Sequence, residues 1–101
     1  MLKHVVMWKF LDEAEGKTRA ENMQLISDLL MALKPQIPEL LSLEIGQDIG
    51  VGRDPFDMVL ITIFSDAQAL ERYQNRPEHK KISQYVAKVR SARACVDFEM
   101  V

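Results

Sequence analysis

The sequence predicts an α+β protein with an antiparallel sheet and the ferredoxin-like order β-α-β-β-α-β. Four stretches that begin near Lys3, Leu41, Asp57 and Arg93 alternate in polarity or are almost continuously apolar, as strands do. Between the first and second stretches, and again between the third and fourth, the apolar residues recur at helical spacing. The chain has 101 residues, the size of one domain, so residues 1–101 are expected to form a single sheet with its helices.

The first strand is predicted from Lys3 to Phe10, where the residues of two faces alternate. One face carries His4, Val6, Trp8 and Phe10, and the other carries Lys3, Val5, Met7 and Lys9. Because large apolar residues stand on both faces, we expect this strand to be covered on both sides.

A first amphipathic helix is predicted from Thr18 to Leu33, after a polar segment that ends the strand. Its apolar residues recur at helical spacing and are Met23, Ile26, Leu29, Leu30 and Leu33. Pro35 and Pro38 follow and are expected to end the helix, because proline cannot donate a backbone hydrogen bond.

Two further strands are predicted after this helix. The segment from Leu41 to Ile45 alternates between apolar and polar residues, whereas the segment from Asp57 to Phe64 is apolar nearly throughout. The second pattern is typical of a strand in the centre of a sheet. Residues 49–55 between them contain two glycines and a proline, which favours a flexible connection.

The second helical region is predicted to be broken in two. Ser65-Asp66-Ala67-Gln68 has the form of a capping box, in which the serine caps a short helix that runs through Tyr73. Pro77 forbids a simple continuation and is well suited to open the next helix. The inner face of that next helix is predicted to carry Ile82, Val86 and Val89, with Tyr85 beside them.

The last strand is predicted from Arg93 to Val101. A ferredoxin-like sheet carries its helices on one face, so the opposite face is left bare. The apolar residues expected on that bare face are Val5, Met7, Val96, Phe98 and Met100. A patch of this kind is rarely left in water, and pairing two sheets face to face would bury it. The sequence therefore predicts a homodimer closed through the helix-free faces.

Composition and charge argue against several classes of function. The net charge is −2 and the basic residues are scattered, so nucleic-acid binding is not expected. No apolar run approaches the roughly 18 residues that a membrane span needs, and the N-terminus does not read as a signal peptide. Cys95 is the single cysteine, which leaves no internal disulfide and no Cys-rich metal motif. We therefore expect a soluble cytoplasmic protein.

Three segments together resemble the stress-responsive dimeric α/β-barrel family. They are Lys3-His4-Val5-Val6 in the first strand, Tyr73 through Pro77-Glu78-His79 at the helix break, and Val96-Asp97-Phe98-Glu99 in the last strand. The resemblance covers the whole chain and implies a homodimer whose two sheets close into a barrel. In the plant polyketide cyclase branch of that family, a Tyr and a His matching Tyr73 and His79 form the acid/base pair. The residues matching His4 and Asp97 line the same pocket.

The residues themselves give His79 and Tyr73 two interpretations each. If Pro77 is the first helical residue, His79 lies near the positive end of the helix dipole, which disfavours imidazolium and leaves a neutral base. Alternatively, His79 only packs at the corner. Tyr73 could donate a hydrogen bond to a developing oxyanion, or it could be a core residue with its hydroxyl tied to the backbone.

The remaining candidates are also open to two interpretations. His4 either contacts a ligand, directly or through Asp97, or is a satisfied core residue. A His4–Asp97 pair requires the first and last strands to be antiparallel neighbours. Trp8 either walls a cavity or fills the core. Only two histidines are present and no close spacing of ligand residues is seen, so neither a metal site nor another cofactor is expected.

Three functions are compatible with these patterns. The first is an enzyme or binder with a pocket between sheet and helices, which takes a small carbonyl-containing metabolite. Its chemistry would be proton abstraction next to the carbonyl, followed by cyclisation or isomerisation. The second is a non-catalytic stress or structural dimer that uses the same residues to hold the corner. The third is a cofactor-free or haem-handling monooxygenase, a less favoured alternative because only His79 suggests a haem ligand.

Overall fold

The computed structural model describes all 101 residues and confirms the ferredoxin-like α+β fold. Four strands form the main sheet: β1 (Leu2–Phe10), β4 (Ser42–Gln47), β5 (Met58–Phe64) and β6 (Arg90–Glu99). The helices are α1 (Arg19–Leu33), α2 (Ala67–Gln74) and α3 (Pro77–Val89). A small hairpin of β2 (Glu13–Ala14) and β3 (Lys17–Thr18) precedes α1, and a 3₁₀ turn at Lys34–Gln36 follows it.

The sheet has the order β4-β5-β1-β6, and every neighbouring pair is antiparallel. β1 therefore pairs on both sides, with β5 and with β6. In this register His4 lies opposite Thr62 on β5 and opposite Asp97 on β6. The third predicted strand, β5, is internal as expected.

The core lies between the sheet and the helices, and it consists of 18 buried apolar residues in one cluster. Alternate residues of β1 and β5 point into it, which gives both strands a burial period of two. The helices supply Ile26, Leu30, Leu33, Ile82, Val86 and Val89, among others. None of the helices combines the length with the apolar composition that a membrane crossing requires.

The opposite face of the sheet is left uncovered by the helices, as the sequence predicts. Val96 and Phe98 on β6 are 56% and 45% exposed, and Met7 on β1 is 37% exposed. They lie on adjacent strands, because Val96 pairs with Val5 and Phe98 pairs with Lys3. In a single chain, β1 is thus covered on its helix-facing side only.

The capping-box prediction at the start of α2 is wrong. The N-cap is Asp66, whose backbone is extended and whose side-chain Oδ1 accepts a hydrogen bond from the Ala69 amide at 2.8 Å. Asp and Ser are both strong N-cap residues, so the sequence pattern alone does not separate two adjacent candidates. A complete capping box instead lies at the start of α1, where Thr18 and Glu21 bond reciprocally.

The last strand begins three residues earlier than predicted, at Arg90 and not at Arg93. The backbone of Arg90 is already extended, so α3 passes into β6 without an intervening turn. Residues 90–94 are Arg, Ser, Ala, Arg and Ala, so they carry no large apolar side chain that would reveal a strand.

Asp66→Ala is expected to lower the free energy of unfolding by about 1 kcal/mol, because it leaves the Ala69 amide without its cap. Ser65→Ala serves as the matched control, since Ser65 makes no capping contact, and it should change stability by less than about 0.5 kcal/mol. Urea-induced unfolding followed by circular dichroism measures both values. A larger loss for Ser65→Ala than for Asp66→Ala would contradict the assigned cap.

Candidate active site

A cavity of about 110 Å³ lies between the sheet and helices α1 and α3. β1 contributes His4, Val6 and Trp8 to its wall, and the junction of α2 and α3 contributes Tyr73 and His79. Arg90 and Arg93 of β6 complete the polar part of the lining. Four of the five site residues expected from the sequence thus meet at one cavity. Asp97 does not line it and reaches it only through His4.

The break between α2 and α3 brings Tyr73 and His79 together. α2 ends at Gln74 and α3 begins at Pro77, the first helical residue, so His79 lies in the first turn. The ring centroids of Tyr73 and His79 are 4.5 Å apart, with the planes tilted by 56°. Two groups suited to proton transfer therefore share one corner of the cavity.

Glu39 anchors this break, and sequence reasoning missed it. Its carboxylate lies 3.1 Å from Nη2 of Arg76 and 3.5 Å from Nε of Arg72. Arg72 belongs to α2 and Arg76 is the N-cap of α3, so one carboxylate binds both sides of the junction. Glu39 is far from both arginines in the sequence, so only the folded chain reveals these two ion pairs.

The hydroxyl of Tyr73 is buried and has no hydrogen-bond partner. The residue is 1% exposed, and its ring packs against Phe64 with centroids 5.1 Å apart. Burial raises the pKa of Tyr73 to about 12, so the phenol stays protonated at neutral pH. The interpretation of Tyr73 as a core residue with its hydroxyl tied to the backbone does not describe this structure. The hydroxyl remains available as a donor.

Nδ1 of His79 is also buried without a partner, although the residue as a whole is half-buried. Burial is the largest cause that lowers the pKa of His79, and the electrostatic influence of His4 and Arg93 acts in the same direction. Hydrogen bonding of the His79 imidazole to the Gln74 backbone acts in the opposite direction and raises the pKa. The sequence attributed the neutral imidazole to the helix dipole. In the structure, desolvation is the main reason that the neutral form is favoured.

Partnerless polar atoms are unusual in this protein, which makes the pair notable. Asn22 is 1% exposed, yet its amide donates to the carbonyl of Ala14 at 3.1 Å and accepts from the Tyr85 hydroxyl at 2.5 Å. Only four buried side-chain polar atoms lack a partner, and two of them are Tyr73 Oη and His79 Nδ1. A buried polar group that lacks a partner costs roughly 1–3 kcal/mol. Both groups could recover that cost by binding a ligand.

His4 is held by Asp97, because β1 and β6 are antiparallel neighbours. Nδ1 of the buried His4 hydrogen-bonds to Oδ1 of Asp97. A carboxylate can only accept, so Nδ1 of His4 carries a proton in this hydrogen bond. Asp97 therefore fixes the orientation of a ring in the cavity wall.

Cys95 joins this pair and creates a group of metal-type donors that the sequence pattern did not reveal. Its Sγ lies 3.8 Å from His4 Nδ1 and 3.7 Å from Asp97 Oδ1. Nitrogen, sulfur and carboxylate oxygen are donors that zinc accepts. The register of β1 with β6 brings them together, which sequence spacing does not show. Burial and the Asp97 charge raise the pKa of the Cys95 thiol, so it is held as a thiol.

Trp8 satisfies both interpretations given to it. It is 7% exposed and belongs to the core cluster, where its ring lies 6.4 Å from that of Phe10. It also lines the cavity. Arg90 and Arg93 were not recognised as cavity residues, because a charged residue on an edge strand is ordinarily expected to face solvent.

The family model of the stress responsive A/B barrel domain matches residues 2–100. Among curated proteins, none matches the chain significantly.

Several proteins of known structure have the same fold. A dimeric ferredoxin-like protein of unknown function from Jannaschia sp. CCS1 is 25% identical, with a TM-score of 0.77 and 98% of each chain covered. Hydroxynitrile lyase from Passiflora edulis is 12% identical with a TM-score of 0.81, over 99% of this chain and 93% of the lyase. An antibiotic biosynthesis monooxygenase is 20% identical with a TM-score of 0.71, over 100% of this chain and 99% of the other.

The imidazole of His79 is expected to titrate below the ordinary value of about 6.5, because burial disfavours its charged form. The unfolded chain binds this proton more readily than the folded chain does. The stability that follows is complete above about pH 6.5 and is lost as the pH falls through the lower pKa of the folded protein. Imidazole resonances followed by NMR, and unfolding measured across the same pH range, test both statements. Titration of His79 at or above 6.5 would contradict the assigned environment.

Proposed function

Because the chain belongs to the stress-responsive A/B barrel domain family, we propose that it binds a small carbonyl-containing metabolite in the cavity between sheet and helices. The observation that carries the proposal is the pair of buried polar atoms without partners, Tyr73 Oη and His79 Nδ1, on one cavity wall. The Tyr73 hydroxyl is a hydrogen-bond donor, and His79 Nδ1 belongs to an imidazole whose neutral form is favoured. A carbonyl oxygen and an adjacent acidic C–H group complement them.

The proposed chemistry is proton transfer next to the carbonyl. His79 takes a proton from the carbon beside the carbonyl, and the electron pair of the broken C–H bond moves into a carbon–carbon double bond. The carbonyl oxygen gains the negative charge, and the Tyr73 hydroxyl donates a hydrogen bond to it. The resulting enolate can then take the proton back at another position or attack a second carbonyl, which gives isomerisation or cyclisation. His4, oriented by Asp97, would position the substrate.

The cavity limits the size of this substrate. An apolar cavity of about 150 Å³ accommodates benzene, and the cavity here measures about 110 Å³. A short chain or part of a single ring therefore fits, whereas a long polyketide chain does not fit without movement of the wall.

We further propose that the protein is a homodimer closed through its helix-free sheet face. The exposed apolar residues of that face form a continuous surface on β1 and β6. The structurally similar Jannaschia protein is described as dimeric, which supports an assembly of the same kind. The cavity lies on the other side of the sheet, so dimer formation would leave it accessible.

Phe98→Lys is expected to give a monomer or insoluble protein, because it would bury an unpaired charge between the two sheets. Met31→Lys is the matched control, since Met31 is 58% exposed on α1, on the helical side of the sheet. Analytical ultracentrifugation measures the assembly of the wild type and both variants. A soluble Phe98→Lys dimer as tight as the wild type would exclude this face as the interface.

His79→Ala is expected to slow proton transfer by about 10² to 10⁴, the usual contribution of a general base, while leaving assembly unchanged. Tyr73→Phe should slow it less, because it removes a hydrogen bond to the oxyanion and keeps the base. Deuterium exchange at the carbon next to the carbonyl, followed by NMR across a panel of small ketones, aldehydes and oxo acids, is a direct assay. Undiminished exchange by His79→Ala would remove the mechanism. Exchange at the buffer rate with every compound would favour the non-catalytic dimer.

A further inference from the structure

We infer that the cavity selects a carbonyl compound that also carries a carboxylate, that is, a short oxo acid, and that Arg93 and Arg90 bind its charged end. The inference rests on the proposed function, because it assigns the substrate class of the same cavity. It adds a specificity determinant that the acid/base pair alone does not provide.

The two arginines in the cavity wall have no carboxylate partner. Elsewhere, guanidinium groups are paired: Arg19 with Asp12, and Arg72 and Arg76 with Glu39. Arg90 and Arg93 form no ion pair, and both line the cavity. The only other arginine without an ion pair is Arg53, which is exposed in the loop between β4 and β5.

The cavity wall contains no acidic residue that could neutralise these charges. Its remaining polar lining consists of two histidines, one tyrosine, one serine and one glutamine. Asp97 is nearby but is engaged by His4. The whole chain has a net charge of −2, so this positive region is local and does not reflect a generally basic surface.

Arg93 is also placed to act on the same ligand as the acid/base pair. Its positive charge is close enough to His79 to lower the imidazole pKa. It acts in the same direction on the pKa of the Cys95 thiol, on its own strand. A guanidinium group presents parallel N–H donors that match a carboxylate, so it can hold one end of a ligand in a defined orientation. The carbonyl end would then lie at Tyr73 and His79.

The cavity volume sets the length of the ligand. About 110 Å³ holds a chain of a few carbons or part of a ring. Arg93 is exposed and Arg90 is half-buried, so the charged group would remain at the solvent-facing end of the cavity. A short oxo acid meets both requirements, because its carboxylate stays near water while its carbonyl and adjacent carbon enter.

The test compares 2-oxobutanoate with 2-oxobutanamide, which have the same number of non-hydrogen atoms and differ in charge. Both are titrated into isotopically labelled full-length protein at low, constant ionic strength, and backbone and imidazole NMR shifts give the dissociation constants. We expect the acid to bind at least about tenfold more tightly than the amide, because charge-assisted hydrogen bonds are stronger than neutral ones. Arg93→Gln should remove most of this preference and Arg90→Gln part of it.

Arg53→Gln is the matched control, because it removes the same charge outside the cavity and should leave the preference unchanged. Arg93→Lys keeps the charge but loses the parallel donors, so an intermediate preference is expected. Equal binding of acid and amide by the wild type, or equal losses in Arg93→Gln and Arg53→Gln, would overturn the inference. If the amide alone shifts the His79 resonances, the pocket proposal survives without charge selection. If neither compound shifts them, both proposals fail for short oxo compounds.

Discussion

The pairing of β1 with an antiparallel neighbour on each side is the constraint on which the rest of the structure depends. This pairing provides hydrogen-bond partners for the backbone of β1 on both sides, and it fixes which side chains lie opposite one another. A shift of one residue would turn His4 to the uncovered face and Val5 into the core. The register also places Asp97 beside His4, so the same ladder that stabilises the sheet orients a polar ring in the cavity wall.

The second constraint is the break between α2 and α3, which positions the other half of the site. Pro77 supplies a first helical residue that needs no hydrogen-bond partner, and Glu39 binds arginines on both sides of the junction. The corner holds Tyr73 and His79 against the core with two polar atoms unsatisfied. The packing of the surrounding residues compensates for the free-energy cost of these two unsatisfied groups, which are held out of water.

Several features were predictable because they depend on local chemistry. The periods of two and 3.6 identify four strands and the helical regions, and Pro77 marks the break. The choice of Asp66 over Ser65 as N-cap was not predictable, since the two residues have similar capping strength and only the backbone at residue 66 distinguishes them. The early start of β6 was missed because residues 90–94 contain only small or charged side chains. Glu39 could not be found, because its partners lie more than thirty residues away.

The order of polar and apolar residues was enough to predict the ferredoxin-like fold and the bare sheet face, because burial follows from periodicity. The nomination of Tyr73, His79 and His4 rested on their residue types, on the helix break at Pro77 and on the resemblance to the stress-responsive α/β-barrel family. The folded chain was needed to bring these residues to one cavity, to leave Tyr73 Oη and His79 Nδ1 without partners, and to add Arg90 and Arg93 to the wall. Those properties depend on the distances between residues that are far apart in the chain and on the exclusion of water around them. Strand register and helix packing determine these distances and this exclusion of water.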